Sequence, residues 1–255
     1  MPDDPSHSAK RQVLVTGAAG RIGSAFSRHA ADCYRLRLTD RSVDGLQEGP
    51  SRGHEAVAAD IVDPEACRAL CRGVDTVVHL AADPSPEANF YGSLLENNIT
   101  GTYNVFRAAA DAGCRRVVFA SSIHAVVGHP PEQTVAPDAP VRPMNMYGVS
   151  KCFGEAVAAC FAHAEGLSSI AIRIGAYEAP WVRASPTPDW LRAYVSVRDM
   201  NQLLVRAIET PDIGFAIVHG ISNNRTKRLD LTETRALLGY EPQDDGFALY
   251  GQGTG

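Results

Sequence analysis

Short apolar segments alternate with helix-like segments along most of the chain, and this alternation limits the possible folds more than any other feature of the sequence. Strands that alternate with helices pair in parallel, because each helix carries the chain back to the same end of the sheet. The apolar segments show little polar alternation, which is typical of strands covered on both faces. The sequence therefore predicts an α/β fold built on a doubly wound parallel sheet. The predicted strands are residues 13–16, 36–39, 56–59, 76–81, 117–121 and 169–174, and the predicted helices are residues 21–31, 64–71, 86–112 and 147–165.

The pattern weakens after residue 174. Residues 177–189 contain Pro180, Pro186 and Pro188 and are predicted to form a loop. The remaining predicted pieces are a helix at 196–209, a strand at 215–218, a helix at 231–238 and a tail at 246–255 without a clear element. These pieces are too few for an autonomous second domain. We therefore expect a small cap over the carboxyl edge of the sheet, where ligands bind in such folds.

Composition excludes several classes of protein. The 255 residues carry 24 Lys and Arg against 29 Asp and Glu, a formal net charge of −5, which is unfavourable for nucleic-acid binding. The six cysteines form no Cys-x-x-Cys pair, so a disulfide framework is not expected and a reduced, cytoplasmic location fits best. An apolar run of about 18 residues is absent, and no membrane span is expected. The first ten residues lack the apolar stretch of a signal peptide and are expected to be disordered.

A glycine-rich turn follows the first predicted strand. Gly17, Gly20 and Gly23 recur every three residues and lead directly into a predicted helix. Glycines let the backbone approach a pyrophosphate, and a helix N-terminus offers unpaired N–H donors. A glycine-rich turn without a ligand is the alternative. The residues predicted to bind at this turn are Gly17, Gly20, Arg21, Ile22 and Gly23.

An aspartate at the end of the second predicted strand favours a dinucleotide at this turn. Asp40 lies 20 residues after Gly20, where a carboxylate binds the hydroxyls of the adenosine ribose. A carboxylate there repels a 2′-phosphate, so NAD is favoured over NADP, although the neighbouring Arg41 could accept that phosphate. Asp60 and Ile61 at the end of the third predicted strand are expected beside the adenine. Leu80, Ala81 and Ala82 at the end of the fourth are small enough for a cofactor to pass close to the backbone.

Tyr147 and Lys151 point to acid–base chemistry. Their i, i+4 spacing places them on one face of a predicted helix. A lysine ammonium beside a phenol lowers the phenol pKa from about 10, and such a tyrosine can act as a general base. Ser122, just past the fifth predicted strand, can hold a substrate oxygen beside the tyrosine. A solvated helix surface is the alternative for Tyr147 and Lys151 taken alone.

Two histidines and one arginine lie in or next to predicted strands. His124 is expected to contact the substrate, with a structural histidine in a loop as the alternative. His79 lies within a predicted strand and is interpreted as a packed core histidine. Arg173 is interpreted as one half of a structural ion pair. No His, Cys and Asp cluster has metal-ligand spacing, so no metal is predicted.

These motifs together resemble the extended short-chain dehydrogenase/reductase superfamily, the NAD-dependent epimerases and dehydratases with a Rossmann fold. The matching segments are TGAAGRIG, HLAA, NNITGTYNV, FASS, YGVSK and LGYEP. The resemblance implies Ser122, Tyr147 and Lys151 as the catalytic trio, and Asn98 and Ile174 as further residues at the cofactor site. It also implies an NAD-binding core at 11–176, a small interleaved substrate-binding region at 177–255, and a homodimer.

Within that superfamily, the segments FASSIHAVVGHPP, MYGVSKCFGE and AIRIGA are most similar to the uronate dehydrogenase group. The resemblance implies NAD-dependent oxidation of C1 of a hexuronate to an aldarolactone. Two polar substrate contacts of that group are replaced here by Ile123 and Ala176, and Arg183 and Arg192 are the candidates for binding a substrate carboxylate.

Three alternatives stay open at this point. The first is an NAD(P)-dependent sugar epimerase or reductase of the same superfamily, acting on another sugar or small carbonyl compound. The second is a non-catalytic protein that senses nucleotides. The third is an accessory protein with a degenerate substrate pocket.

Overall fold

A parallel sheet of seven strands forms the centre of the molecule. The computed structural model describes residues 10–46, 54–178 and 180–251. Its strands are β1 Gln12–Thr16, β2 Arg35–Asp40, β3 Glu55–Ala58, β4 Thr76–His79, β5 Arg116–Ser122, β6 Ser168–Ile174 and β9 Phe215–Gly220. They lie in the order β3-β2-β1-β4-β5-β6-β9, and every neighbouring pair is parallel. The predicted doubly wound α/β fold is confirmed.

Helices cover both faces of this sheet. The helices are α1 Arg21–Ala30, α2 Pro64–Cys71, α3 Gly101–Asp111, α4 Met146–Glu165, α5 Pro180–Ala184, α6 Pro188–Arg192, α7 Val197–Glu209, α8 Thr232–Leu238 and α9 Gly246–Tyr250. One apolar cluster joins the sheet to α1 and α7 through side chains such as Phe26 and Leu203. A second cluster joins the other face to α2, α3 and α4 through Leu70, Phe106 and Phe161.

The helix predicted at 86–112 is two elements. Phe90–Thr100 is a π-helix that runs directly into α3. Asn89 caps it, since its side chain accepts a hydrogen bond from the N–H of Gly92 at 2.8 Å. A π-helix has wider turns than an α-helix and often occurs at functional sites.

The predicted loop at 177–189 is wrong in part. Two short strands, β7 Ala176–Tyr177 and β8 Tyr194–Val195, pair in parallel and enclose α5 and α6. The tail predicted to lack an element contains α9, which the side chain of Asp245 caps. Val182, Leu191 and Tyr194 form a small apolar cluster against which Phe247 of α9 packs.

Buried arginines hold the remaining loops. Arg173 forms a buried ion pair with Glu155 at 2.8 Å, which confirms the interpretation of that arginine. Arg116 donates to carbonyl groups at the end of α7, including that of Ala207 at 2.8 Å. Arg228 donates to carbonyl groups of the loop after β5, including that of His129 at 2.7 Å. These bonds satisfy backbone oxygens that would otherwise be buried without a partner.

The cysteines, the helix lengths and the N-terminal residues bear on three further predictions. All six cysteines are free thiols. No helix among residues 10–46, 54–178 and 180–251 is long and apolar enough to cross a membrane. Residues 1–9 of the predicted disordered lead-in lie outside the described residues.

Candidate active site

A cavity of about 940 Å³ extends along the carboxyl edge of the sheet. The residues that follow β1, β2, β3 and β4, and the ends of β5 and β6, form its walls. The glycine turn lies in one wall, and the side chains of Ser122 and Tyr147 lie in another. This is the edge at which a doubly wound sheet binds its ligands.

The glycine turn is shaped for close backbone approach. Gly17 has a φ of +68°, and a Cβ there would lie 2.7 Å from the backbone nitrogen of Ala81. A Cβ on Gly23 would lie 2.2 Å from the carbonyl oxygen of Gly17. Gly20 immediately precedes α1 and has no side chain to cap the first N–H groups of that helix. The turn therefore fits an anionic pyrophosphate, and all five residues predicted there line the cavity, namely Gly17, Gly20, Arg21, Ile22 and Gly23.

Asp40 lies beside this turn, at the end of β2. Its carboxylate accepts hydrogen bonds from the N–H groups of Ala19 at 3.0 Å and Arg41 at 2.8 Å. Both Asp40 and Arg41 line the cavity. A carboxylate held at this position suits a ribose diol. Asp60 and Ile61 also line the cavity, but β3 ends at Ala58, so they follow the strand instead of ending it.

The segment after β4 forms the floor beneath the glycine turn. Leu80, Ala81 and Ala82 line the cavity, and the N–H groups of Leu80 and Ala81 donate to Thr16 Oγ1, each at 3.2 Å. Thr16 Oγ1 also contacts Nδ1 of the buried His79 at 2.8 Å. Burial lowers the pKa of His79 to about 3, which agrees with a packed core histidine. Ile174, the last residue of β6, also lines the cavity.

Ser122, Tyr147 and Lys151 meet at the end of the cavity away from the glycine turn. Ser122 is the last residue of β5, not a residue beyond it, and its side chain hydrogen-bonds Tyr147. Tyr147 is in the first turn of α4, and Lys151 follows one turn later. Lys151 Nζ donates to the carbonyl oxygen of Ala120 at 2.8 Å and lies 5.5 Å from the centre of the Tyr147 ring.

Burial dominates the protonation of this trio. Burial raises the pKa of Tyr147, the hydrogen bond from Ser122 opposes that rise, and the carboxylate of Asp83 adds to it. Burial also lowers the pKa of Lys151 to about 8. The pKa of Tyr147 is thus raised overall in the protein alone, and the lowering by Lys151 that the sequence predicted is not found, because burial of the phenol dominates.

His124 is held next to Tyr147. The rings are 5.5 Å apart, edge to face, and the side-chain amide of Asn145 donates to His124 Nδ1 at 3.0 Å. Burial lowers the pKa of His124, which favours the neutral imidazole. Because Nδ1 accepts the hydrogen bond from Asn145, the proton of the neutral ring is on Nε2. Asn145 also caps α4, since its side chain accepts from the N–H of Gly148 at 2.8 Å. The sequence analysis missed Asn145, although an asparagine just before a helix is the expected signal of a cap.

The structure does not bring every predicted residue to the cavity. Asn98 is buried and donates to Ser150 Oγ at 3.0 Å, and its Oδ1 accepts from the N–H of Asp83 at 2.8 Å. It therefore holds the segment after β4 in place. Arg183 pairs with Glu178, outside the residues that line the cavity.

Arg192 also lies away from the cavity. It donates to the carbonyl groups of Glu132 at 3.2 Å and Lys227 at 3.3 Å, and so holds the loop after β5. Ile123 and Ala176, by contrast, line the cavity near Ser122, as predicted. Neither arginine candidate for a substrate carboxylate reaches the space beside these two residues.

The segment after β4 and the π-helix contribute cavity residues that sequence reasoning missed. They are Asp83, Ser93, Glu96 and Asn97. Tyr177 and Trp190, from the region beyond β6, line the cavity as well. Ser93, Glu96 and Asn97 have the i, i+3, i+4 spacing of one helix face, which is a signal that the sequence does contain. Within the described part of the chain, no three His, Cys, Asp or Glu side chains are grouped so that they could hold a metal ion.

The fold and the glycine turn define an α/β protein that binds a dinucleotide at the carboxyl edge of its sheet. Residues 13–189 match the family described as the NAD-dependent epimerase/dehydratase family. The chain belongs to this family. The predicted fold, cofactor and enzyme class are confirmed at this level, since characterised relatives are NAD-dependent dehydrogenases.

Characterised relatives span almost the whole chain. An NAD-dependent glucose-6-phosphate dehydrogenase of Haloferax volcanii is 37% identical over 91% of this chain and 93% of its own length. A uronate dehydrogenase of Pseudomonas putida is 35% identical over 91% and 84% of the two chains. An L-arabinose 1-dehydrogenase (NAD(P)(+)) of Haloferax volcanii is 36% identical over 93% and 98%.

A solved structure is also similar. A mutant of the Agrobacterium tumefaciens uronate dehydrogenase, complexed with NAD, is 34% identical to this chain. Its TM-score is 0.83, and the match covers 95% of this chain and 88% of that one. The resemblance to the uronate dehydrogenase group is thus borne out in both sequence and fold.

Proposed function

We propose that this protein oxidises the anomeric hydroxyl of a monosaccharide and transfers the hydride to NAD. One observation carries the proposal: Tyr147, hydrogen-bonded to Ser122 and one turn before Lys151, lies in the same cavity as the glycine turn and Asp40. A proton-accepting group and a dinucleotide site are thereby combined in one space. The relatives support this chemistry, since they are dehydrogenases of sugars or sugar derivatives.

The residues that would hold NAD fit it. A side chain at Gly17 or Gly23 would collide with the surrounding backbone, so the turn can stay close-packed only with glycine at both positions. The carboxylate of Asp40 lies beside this turn. Other residues predicted for the cofactor also line the cavity, namely Asp60, Ile61, Leu80, Ala81, Ala82 and Ile174, whereas Asn98 does not. We expect Asp60 and Ile61 to lie beside the adenine. When bound, NAD supplies the hydride acceptor and a positive charge on its nicotinamide ring.

The chain's own groups handle the proton. As C1–H leaves as hydride, the C1 hydroxyl proton passes to the oxygen of Tyr147, and the C1–O bond becomes the carbonyl of a lactone. Ser122 hydrogen-bonds the reacting oxygen and stabilises its developing charge. Lys151 supplies positive charge behind Tyr147, and the Nε2–H of His124 donates to a neighbouring hydroxyl of the sugar. Because burial keeps the pKa of Tyr147 high, this oxidation favours alkaline pH.

The first candidate substrate is a hexuronate, with an aldarolactone as the product. The uronate dehydrogenases among the relatives support it. The second candidate is a neutral aldose, and one observation favours it. Arg183 and Arg192 bind elsewhere, whereas the carboxylates of Asp83 and Glu96 line the cavity.

Three further expectations form part of the proposal. Residues 11–176 bind NAD and residues 177–255 complete the substrate end, to which Tyr177 and Trp190 contribute. The protein works in the cytoplasm, which its free thiols suit. It forms a homodimer, as the family resemblance implies, and analytical ultracentrifugation tests this directly.

The experiment that tests the function is NADH formation by the purified protein. Hexuronates and neutral aldoses are supplied with NAD, and reduced nicotinamide is followed by absorbance. Net NADH with either class supports a dehydrogenase. An epimerase returns its hydride and accumulates no NADH, and a nucleotide-sensing protein binds NAD without turnover; either result would refute the proposal.

A further inference from the structure

We propose that Asp83 selects against negatively charged sugars, so that the substrate of this site is a neutral monosaccharide. The inference rests on the proposed anomeric oxidation and names the class of sugar oxidised. Asp83 follows the small residues after β4 and lines the cavity. Its carboxylate is close enough to Tyr147 to act on the charge of that phenol. Asn98, which binds the backbone of Asp83, also donates to Ser150 in the second turn of α4, so the loop of Asp83 is joined to the helix that carries Tyr147.

The carboxylate is held in place by the chain around it. One oxygen of Asp83 accepts from the N–H of Ser85 at 3.0 Å, and the other accepts from the hydroxyl of Ser93 on the π-helix. The buried Asn98 binds both the N–H and the carbonyl of Asp83, at 2.8 and 3.1 Å. All these donors are neutral groups, so they do not neutralise the negative charge of Asp83. Glu96, one turn further along the same helix, also lines the cavity.

Positive charge is sparse at this end of the cavity. Among the described residues that line it, the lysines and arginines are Arg21, Arg41 and Lys151. Lys151 is bound to the carbonyl of Ala120 behind Tyr147. Arg41 follows β2 beside Asp40, where the dinucleotide would lie, and the guanidinium of Arg21 donates to the carbonyl oxygen of Tyr177 at 3.4 Å. A sugar carboxylate or phosphate placed near Asp83 would meet a like charge, and like charges brought together cost binding energy.

Three other lining residues suit an uncharged sugar ring. Ile123, Ala176 and Trp190 line the cavity and offer apolar surface. Pyranose rings present C–H faces that pack on such surface, while their hydroxyls donate to acceptors such as Asp83. Apolar surface with a few placed polar groups is typical of small-ligand sites.

The test compares sugars that differ only at C5. L-arabinose, D-galactose and D-galacturonate share their ring configuration and carry hydrogen, CH₂OH and carboxylate there. D-glucose, D-glucuronate and glucose 6-phosphate form a second set. We expect kcat/KM with NAD to be at least about tenfold higher for the neutral sugars.

The decisive variant is Asp83→Asn, which keeps the shape and the hydrogen-bonding capacity of the side chain but removes its charge. It should raise kcat/KM for galacturonate relative to galactose by about tenfold, and Glu96→Gln should act in the same direction. Asp32→Asn is the control, because it removes the same charge from an exposed residue away from the cavity and should leave the ratio unchanged.

A pH profile separates selection from a structural effect. The charged or titratable groups that face Tyr147 are Lys151 on its own helix, His124 after β5 and Asp83 after β4. Removing the negative charge of Asp83 should move the rise of kcat for galactose to lower pH. A loosened loop alone would lower kcat without that shift.

The outcomes distinguish the two proposals. If wild type prefers the sugar acids and Asp83→Asn leaves the ratio and the pH profile unchanged, the selection by Asp83 is refuted, while the anomeric oxidation stands. If no sugar yields NADH although NAD binds, the anomeric oxidation itself fails, and the inference fails with it.

Discussion

The proposed mechanism assigns the proton transfer to one phenol, that of Tyr147. Its hydroxyl is bonded to Ser122, its ring packs against His124, and Lys151 lies one turn along α4. Replacement by Phe removes the proton acceptor but keeps the ring. We expect Tyr147→Phe to lower kcat by about 10²- to 10⁴-fold and to leave the affinity for NAD nearly unchanged. Steady-state rates and NAD titration measure the two effects, and near-normal turnover in the variant would disprove the role of this residue.

Asp40 should set the choice between NAD and NADP. The N–H groups of Ala19 and Arg41 bind different carboxylate oxygens of Asp40. The variant Asp40→Asn keeps the shape of the side chain and an acceptor for one of these groups, but it loses the charge that repels a 2′-phosphate. We expect the ratio of kcat/KM for NADP over NAD to rise by about tenfold, because Arg41 then faces the phosphate without competition. An unchanged ratio would show that Asp40 does not face the adenosine ribose.

The grouping of the candidate site residues in one cavity follows from the sequence, but their protonation does not. Ser122, Tyr147 and Lys151 were predicted because each lies near the end or the start of a recognisable element, in the right order along the chain. The raised pKa of Tyr147 depends on how completely the chain buries it, and the influence of Asp83 depends on a loop that the π-helix positions. Neither quantity is encoded in a local pattern.

At the scale of elements, the glycine turn offers a matched pair of variants. Gly17 and Gly73 have nearly the same φ, +68° and +70°, but a Cβ on Gly73 would meet nothing within 4 Å. Gly73→Ala should therefore cost only the backbone strain, about 1 kcal/mol. Gly17→Ala should cost at least about 2 kcal/mol more, because its Cβ would meet the backbone of Ala81, and NAD binding should be lost. Urea unfolding and NAD titration make the comparison; equal stability losses would contradict the close approach.

The buried pair that joins α4 to β6 should be sensitive to the removal of one partner. The carboxylate of Glu155 accepts two hydrogen bonds from the Arg173 guanidinium, from Nε at 2.8 Å and from Nη2 at 2.9 Å. Glu155→Gln leaves a buried cation without its counter-charge, and we expect a loss of about 3–5 kcal/mol in the free energy of unfolding. The pair of Arg107 and Glu165 on the surface is the control, where Glu165→Gln should leave the free energy of unfolding nearly unchanged. A similar cost at both sites would refute the distinction.

Elements were predictable where they were long and periodic. The strands and helices of the sheet lie within a few residues of their predicted bounds. The π-helix was missed because apolar periodicity reports helix without revealing an added residue per turn. Helices α5 and α6 were missed because Pro180 and Pro188 suggested a loop, although proline is favoured in the first turn of a helix.

At the scale of the whole molecule, two buried histidines should make stability depend on pH. Burial lowers the pKa of His79 to about 3 and that of His219 to about 4, below the ordinary value near 6.5. Below about pH 6.5 the unfolded chain binds these protons and the folded chain does not, so stability falls with acidification down to the folded pKa values. Each histidine contributes up to about 1.4 kcal/mol per pH unit.

The variant His219→Gln tests this dependence. Urea unfolding from about pH 7 down to about pH 5 should show a shallower loss of stability than wild type, by that contribution. His29→Gln, at an exposed position on α1, should follow the wild-type slope more closely. An unchanged slope in His219→Gln would show that this histidine is not held neutral in the folded protein.

The central claim is that hydride leaves C1 of a monosaccharide for NAD, and deuterium tests it most directly. A sugar that supports turnover is supplied with deuterium at C1, and the reduced nicotinamide is analysed by mass spectrometry and NMR. The proposal predicts one deuterium per NADH, at C4 of the ring, and a slower reaction than with the unlabelled sugar. NADH without deuterium would place the oxidised carbon elsewhere in the sugar and contradict the account.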